Sequence, residues 1–479
     1  MTGELYEYPL EECMDAIIDY RGKTPKKTSA GIPLVTAKII KAGVIQPTTE
    51  YIAEADYESW MRRGIPKPGD VVLTTEAPLG EVAQLGDEKV ALAQRVITLR
   101  GKADLLDNTY LKYLFLTKEM RAQLDGRASG TTVSGIKQSE LRKVILRFPG
   151  IAKQKKIAHI LGAIDDKIEL NRQINITLES MAQALFKSWF VDFDPVIDNA
   201  LAAGNDIPEP LQAKAEKRKA LGDKRAGQHV WTSDEDARRA SATEGASHKR
   251  KPLPDGLQRQ FPDRFAFTEE MGWVPEGWEV QPVSIALSIN PRVSVKKGQV
   301  AKFVDMKALP TSGYSVDEIS EKAFSGGAKF ENGDVLLARI TPCLENGKTA
   351  VVDFLEPESA GFGSTEFIVL RPVGDISTPF VAALARDVNF RQHCITNMVG
   401  SSGRQRVQNS CFDSYCLALP TGGSVLQLFT QHTRPWFSKM TEISKEIKAL
   451  GKLRDTLLPK LLSGELRIPE AEKQIAEAV

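Results

Sequence analysis

The sequence has no CxxC pair, no HExxH, no Gly-x-Ser-x-Gly elbow and no complete phosphate loop. Each absence removes a class of chemistry. Five cysteines, Cys13, Cys343, Cys394, Cys411 and Cys416, are an odd number without ligand spacing. They imply neither a disulfide framework nor a structural zinc site, and read as small buried thiols. The five histidines, His159, His229, His248, His393 and His432, show no clustered metal-ligand pattern. Gly22-Lys23-Thr24 and Gly347-Lys348-Thr349 resemble the end of a phosphate-binding loop. That cradle needs another glycine five positions before its second glycine, where Ile17 and Pro342 stand. No apolar run reaches the roughly 18 residues that cross a bilayer, so no membrane association is expected. The start, MTGELYEYPLEEC, has acids where a secretory signal has bases and then apolar residues. The expected location is cytoplasmic.

An excess of either charge is also lacking. Lysine and arginine total 63 against 62 acids, a net charge of +1. Phosphate neutralisation calls for local basic surplus. A nucleic-acid reader with this balance must segregate its positive charge or share the clamp with partners. The 479 residues, 42 % hydrophobic and 26 % charged, describe a soluble globular chain of two to four domains.

What is present is a duplication. GDVVLTTEAPLGEVAQLGDEKVALAQRVITLR (69–100) is echoed by GDVLLARITPCLENGKTAVVDFLEPESAGFGSTEFIVLRP (333–372). Each has a Gly-Asp, an apolar strand, a polar loop with Thr and Pro, a second strand, and a third strand closing near an arginine. GIPLVTAKII (31–40) and VAKFVDMKAL (300–309) precede the two blocks. GRASGTTVSGIKQSELRKVILRFP (126–149) and MVGSSGRQRVQNSCFDSYCLALP (398–420) follow them. The offset of some 265–275 residues is far too long for a solenoid. The short β-branched runs bounded by Gly, Pro or Asp predict β-rich modules, with short helices near 107–120 and 378–390.

Each half closes on a long helix. From about 151 to 190, Ile157, Leu161, Ile164, Ile168, Ile174, Leu178, Met181 and Leu185 recur at steps of mostly three and four. From about 433 to 458 the seam is Trp436, Met440, Ile443, Ile447, Leu450, Leu453 and Leu457. Thr433 suits a cap with Pro435 in the first turn. The stretch 425–432 reads as a separate short helix, and Pro459 as a kink or stop. Stripes about 60 Å long outreach a 130-residue module of radius roughly 14 Å, so they are expected to pack on each other. Asn171 on the first seam is a candidate for fixing register. The stretch 195–270, rich in Pro, Lys, Arg, Glu and Ala, reads as a partly mobile linker whose basic clusters are solvated or touch phosphates.

The helical segments carry a family resemblance. IAKQKKIAHILGAIDDKIELNRQINITLESMAQALFKSWFVDFDP (151–195) resembles the central conserved region of type I restriction–modification specificity subunits, and LRDTLLPKLLSGELRI (453–468) their distal conserved region. RGKTP (21–25), GDVVLTTEAPLG (69–80) and PEGWEV (275–280) are similar to landmarks of their two target-recognition domains. The resemblance implies an α+β chain: two β-rich globular target-recognition domains separated by two long helices forming an antiparallel coiled coil. The expected division is 1–150 first recognition domain, 151–192 central helix, 193–272 linker, 273–423 second recognition domain, 424–468 distal helix and 469–479 tail. It also implies the partners: double-stranded DNA, two methylation subunits and two restriction–translocation subunits. S-adenosylmethionine, ATP and Mg would be used by those subunits, with no cofactor and no metal held by this chain. The methyl acceptor is expected to be adenine. Asn290-Pro291-Arg292 is not the NPPY-type motif of an adenine methyltransferase, which fits a non-catalytic subunit. The exposed helix residues Lys153, Lys155, Lys156, Asp165, Asp166 and Lys167 are candidates for docking methylation subunits. The helix junction differs between halves, LPTGGSVLQLFTQ against FPGIAKQKKIAHI. The alternative reading is a two-domain coiled-coil scaffold that binds proteins rather than DNA.

Base edges are read by Arg or Lys on guanine, Asn or Gln on adenine, and small apolar groups on thymine. Loops on a rigid sheet place such side chains. The first-module candidates are Lys23, Thr24, Lys38, Thr74, Thr75, Gln94, Arg95, Thr131, Thr132 and Lys137, with Gly130 and Ser134 lending backbone approach to phosphate. The second-module candidates are Lys302, Arg339, Thr341, Lys348, Ser401, Ser402, Arg404, Gln405 and Arg406. Arg339 and Arg404 stand out because a planar fork pairs bidentately with guanine.

Overall fold

The computed structural model describes residues 5–20, 24–130, 133–226, 255–401 and 403–478. The chain divides into two compact units, Met1–Leu170 with Glu446–Val479, and Asn171–Lys445. The boundaries fall inside both long helices, because each module packs against the helical stretch nearest to it.

Each unit is built on an antiparallel four-stranded sheet. In the first, β1 (Met14–Asp19), β2 (Val71–Thr75), β3 (Leu79–Gln84) and β4 (Val96–Gly101) pair in the order β1-β4-β2-β3. In the second, β5 (Leu287–Ile289), β6 (Val335–Ala338), β7 (Thr349–Val351) and β8 (Phe367–Pro372) pair as β5-β8-β6-β7. The order is the same, so the sequence repeat is a repeat of topology.

The strands are apolar throughout because both faces of each sheet are covered. Side chains alternate between faces along a strand. In the first unit Val71, Leu73, Val82, Ile97 and Leu99 enter one core, while Val72, Ala83 and Val96 enter another. In the second, Val335, Leu337, Val351, Ile368 and Leu370 face one core and Leu336, Ala350 and Val369 the other. One face carries helices: Asn108–Phe115 and Lys118–Arg127 in the first unit, Thr378–Arg386 and Val388–Thr396 in the second. Asp107, Thr117 and Asp387 cap three of these by accepting backbone N–H bonds. The other face carries a small sheet in which Ile32–Val35 runs parallel to Ala91–Leu92, and Val300–Val304 parallel to Gly361–Gly363.

The repeated Gly-Asp and terminal arginine meet across the sheet. Asp70, 1 % exposed, accepts from Arg100 Nε at 2.8 Å and Nη2 at 2.7 Å, and from the Lys67 amide at 2.8 Å. Asp334, fully buried, accepts from Arg371 at 2.6 and 2.8 Å and from the Glu331 amide at 2.8 Å. The pair is an interior fastening in both modules.

The first long helix spans Ile151–Phe186 and passes into a π-turn at Lys187–Val191. In the first unit Ile157, Leu161, Ile164 and Ile168 share a core with Leu450, Leu457 and Leu461 of the second helix. Asp165 meets Arg454 and Lys167 meets Glu446. Numbering rises along one helix as it falls along the other, so they run antiparallel. In the second unit the seam turns polar: Asn171 and Glu179 are buried, and Asn175 donates to Ser444 Oγ at 3.2 Å. Ile174, expected on the seam, is 37 % exposed instead. The polar residues at 171, 175 and 179 take one face, which turns 174 outward. Asp165 is likewise not an exposed docking residue, since Lys112, Tyr113 and Arg454 enclose it. Lys155, Lys156 and Asp166 remain exposed.

The second long helix corrects three expectations. It runs unbroken from Ser424 to Ser463, so 425–432 is not separate, Thr433 is not a cap and Pro459 does not end it. Val425, Leu426, Phe429 and Thr433 are buried in the second unit's core, and that burial carries the helix through. Thr433 Oγ1 donates back to the Phe429 carbonyl at 2.7 Å. Pro435 and Gln431 are exposed, as are Pro459 and Asp455, so the carbonyls that the prolines leave unpaired face water. The linker expectation also changes. Asp194–Ala203 and Glu209–Ala226 are helices, with Val196, Ile197 and Ala200 fully buried. Arg218 pairs with Asp194 at 3.0 Å and Asp198, and Lys214 with Asp192 at 2.9 Å, so these basic residues serve the fold. Residues 227–254 lie outside the described ones.

Candidate nucleic-acid interface

The candidate loops converge on one corner of each sheet. In the first unit the Thr75 amide donates to the Arg95 carbonyl at 2.9 Å, and the Ile136 amide donates to the Thr75 carbonyl at 2.9 Å. Glu76 bridges Gly135, and Ser129 and Gly135 exchange backbone bonds at 2.8 and 3.0 Å. In the second unit the Arg339 amide donates to the Glu366 carbonyl at 3.0 Å, and the Val407 amide to the Arg339 carbonyl at 2.9 Å. Ile340 bridges Arg406, which pairs with Val399. Thr75 therefore corresponds to Arg339, Arg95 to Glu366, and Gly135 to Arg406. The segments that begin at Gly130 and Gly400 leave the same place in each module. Each starts at a glycine in the left-handed region, Gly130 at φ +125° and Gly400 at φ +136°. A Cβ at Gly130 would stand 2.2 Å from the Val133 carbonyl oxygen, which only glycine avoids.

Each corner carries an acid–arginine pair. Glu76 binds Arg95 Nε at 2.7 Å, with both side chains well exposed. Glu366 receives Arg406 through Nε at 2.9–3.0 Å and Nη2 at 2.7 Å. Those hydrogen bonds hold the Glu366 carboxyl below the ordinary carboxylate range, with the charges of Arg406 and Arg339 acting in the same direction. Sequence reasoning proposed the arginines and missed both acids. An acid flanking a strand, as at 76 and 366, has no partner within reach along the sequence, and only the sheet pairing supplies one.

The other candidates separate by burial. Thr74 and Thr75 are 0 % and 1 % exposed, so neither reaches a base edge directly. Thr74 Oγ1 accepts from the Glu81 amide at 2.9 Å. Lys348 is committed to structure: its ammonium donates to the Met306 carbonyl at 2.9 Å and the Lys307 carbonyl at 3.3 Å. Arg339 is half-buried and donates through Nη2 to the Val407 carbonyl. Lys302 is half-buried with Glu321 4.0 Å away. Thr341 Oγ1 accepts from the Gln405 amide at 3.2 Å, and the Thr341 amide donates to the Gln405 carbonyl at 3.1 Å, tying that loop down. Gln94 is half-buried beside exposed Arg95. Lys38, Ser134, Lys137, Ser401 and Arg404 are exposed, and the Arg404 guanidinium has no partner among the described residues. Thr24 lies on a cavity of about 310 Å³ with Tyr20, Lys26, Trp60, Arg62 and Arg63. Trp60, Arg62 and Arg63 escaped sequence reasoning because they come from a separate segment. Lys23, Thr131, Thr132 and Ser402 lie outside the described residues.

No group of three His, Cys, Asp or Glu residues suited to a metal occurs among the described residues. Among the described residues no helix is long and apolar enough to cross a membrane.

Known proteins are similar to this chain. A model of the type I restriction modification DNA specificity domain matches residues 18–180. The MjaIX type I restriction enzyme specificity subunit of Methanocaldococcus jannaschii is 24 % identical over 433 residues, 88 % of this chain and 82 % of that protein. The HindI specificity subunit of Haemophilus influenzae is 26 % identical over 386 residues, 76 % of each chain. A solved S subunit from M. genitalium aligns with a TM-score of 0.49 at 14 % identity, covering 96 % of both chains. The chain is similar in sequence to type I restriction enzyme specificity subunits over most of its length.

Proposed function

We propose that this chain is the sequence-reading subunit of a type I restriction–modification complex and that it carries no catalysis of its own. Its two modules each read one half of a bipartite double-stranded DNA target. The observation that carries this is the duplicated corner, where one β-scaffold presents different residues at equivalent positions, the Ser129–Gly135 pair in the first module and the Val399–Arg406 pair in the second. A rigid sheet with interchangeable loops suits two unlike half-sites. The names of the relatives support the same reading.

Two methylation subunits, bringing S-adenosylmethionine, dock on the long helices, where Lys155, Lys156 and Asp166 are exposed. Two restriction–translocation subunits join them with ATP and Mg. The near-neutral charge fits a chain that shares its phosphate contacts with partners. The test is a genome-wide map of methylated adenine in the source cell with and without this gene. One bipartite motif disappears with the gene. An unchanged map refutes the function and favours a protein-binding scaffold.

A further inference from the structure

Both corners hold an acid–arginine pair, but not at equivalent positions: Arg95 corresponds to Glu366, whereas Glu76 corresponds to Ile340 and Arg406 to Gly135. The residue that precedes the third core strand is Arg95 in the first module and Glu366 in the second. Glu366 takes both Nε and Nη2 of Arg406, with the Arg406 side chain 42 % exposed. A guanidinium is planar and presents its donors as fixed forks. Once Nε and Nη2 face the carboxylate, the rotation of the fork is set and Nη1 is turned away from it. Nη1 meets only the Arg404 carbonyl, at a long 3.4 Å. Arg339, which shares the corner through its backbone bond to Glu366, is occupied by the Val407 carbonyl and is not equivalently free.

We propose that Glu366 is a positioning residue for base reading, holding the Arg406 guanidinium in the orientation that meets a guanine in the second half-site. Guanine offers two acceptors, O6 and N7, on its major-groove edge, matching an arginine fork. The first-module corner differs in kind. Arg95 pairs with Glu76 at 2.7 Å from Nε, with both side chains well exposed and the arginine just before the strand. The two corners therefore present different donor geometries, as two unlike half-sites require. The inference rests on the DNA-reading function proposed above.

The test uses the complete complex of this chain with its own methylation subunits. Wild type, Glu366→Gln, Glu366→Asp and Arg406→Lys are compared by sequencing the methylated sites of a random-sequence DNA library over a range of salt. In wild type, one position of the second half-site is guanine. Glu366→Gln and Arg406→Lys relax that single position by roughly tenfold or more, the discrimination a bidentate arginine–guanine contact supplies. Glu366→Asp restores part of it, and the first half-site is unchanged throughout. An unaltered motif in both relaxing variants overturns the proposal. So does uniformly weaker methylation of every site, with a reduced salt slope when Arg406 is replaced, because that marks a phosphate contact. Loss of the whole second half-site in both variants overturns it too, since that marks a purely structural pair. A wild-type complex without any bipartite motif would instead refute DNA reading itself.

Discussion

Arg100 reaches across from β4 to grip both carboxylate oxygens of Asp70, a residue only 1 % exposed. Arg371 does the same to Asp334 in the second module. The aspartates stand just after the Gly-Asp turn and the arginines near the end of the third core strand. Each pair locks the first edge of the repeat to its last strand.

Removing one member strands the other. Breaking a buried pair by truncating one partner costs about 3–5 kcal/mol. Asp70→Ala and Asp334→Ala are each expected to destabilise by about that amount, measured by chemical denaturation of the purified subunit. A loss under about 1 kcal/mol for either would show that the fastening is dispensable.

Asp165 gives the first unit a pH dependence. Burial alone raises its pKa, but Lys112, the Tyr113 hydroxyl at 2.7 Å and Arg454 outweigh that and bring it below the ordinary value. A depressed folded-state pKa contributes stability that is present above the unfolded value, near 4, and is lost as pH falls through the lower folded value. Stability should therefore fall as pH drops below about 4. Asp165→Asn should flatten that slope and cost about 1–3 kcal/mol at neutral pH. Urea midpoints between pH 2.5 and 7 for both proteins decide this, and parallel curves would refute it.

The second unit has its own clamp. Glu179 accepts from Arg386 and from the Gly313 amide at 2.6 Å, while Gln183 donates to the Tyr314 hydroxyl at 2.8 Å. Glu179→Ala leaves Arg386, whose side chain is 8 % exposed, without its carboxylate. We expect a loss of about 3 kcal/mol or more. A thermal midpoint within 2 °C of wild type would count against it.

Thr75 tests the correction to the sequence reading. Its Oγ1 is buried without a hydrogen-bond partner. Thr75→Val keeps the shape and removes an unsatisfied hydroxyl, so stability should hold or rise by about 1 kcal/mol. The methylated motif should stay as it is. A changed motif would return Thr75 to the reading surface.

The repeat, the β-rich modules and the helical stripes were legible because period and composition are local properties of a chain. The helix start expected at Thr433, with Pro435 in its first turn, and the stop at Pro459 failed for a non-local reason. Those prolines sit on the wet side of a helix whose opposite side is buried, so water satisfies the freed carbonyls. The seam at 174 failed similarly, because polar Asn171, Asn175 and Glu179 found partners or cover that no hydrophobic pattern announces.

The sequence by itself determined that the chain is a duplicated module-and-helix protein that resembles specificity subunits, and which loops are rich in donors. Tertiary structure alone decided which donors remain available. Thr74, Thr75 and Lys348 are withdrawn by burial or by carbonyl partners, while Arg404 and Lys137 stay exposed. It also decided that Glu366 faces Arg406, forty positions away in the chain. The physical reason is that hydrogen-bond partnership and solvent access depend on distances across a sheet, and no spacing along the chain encodes them.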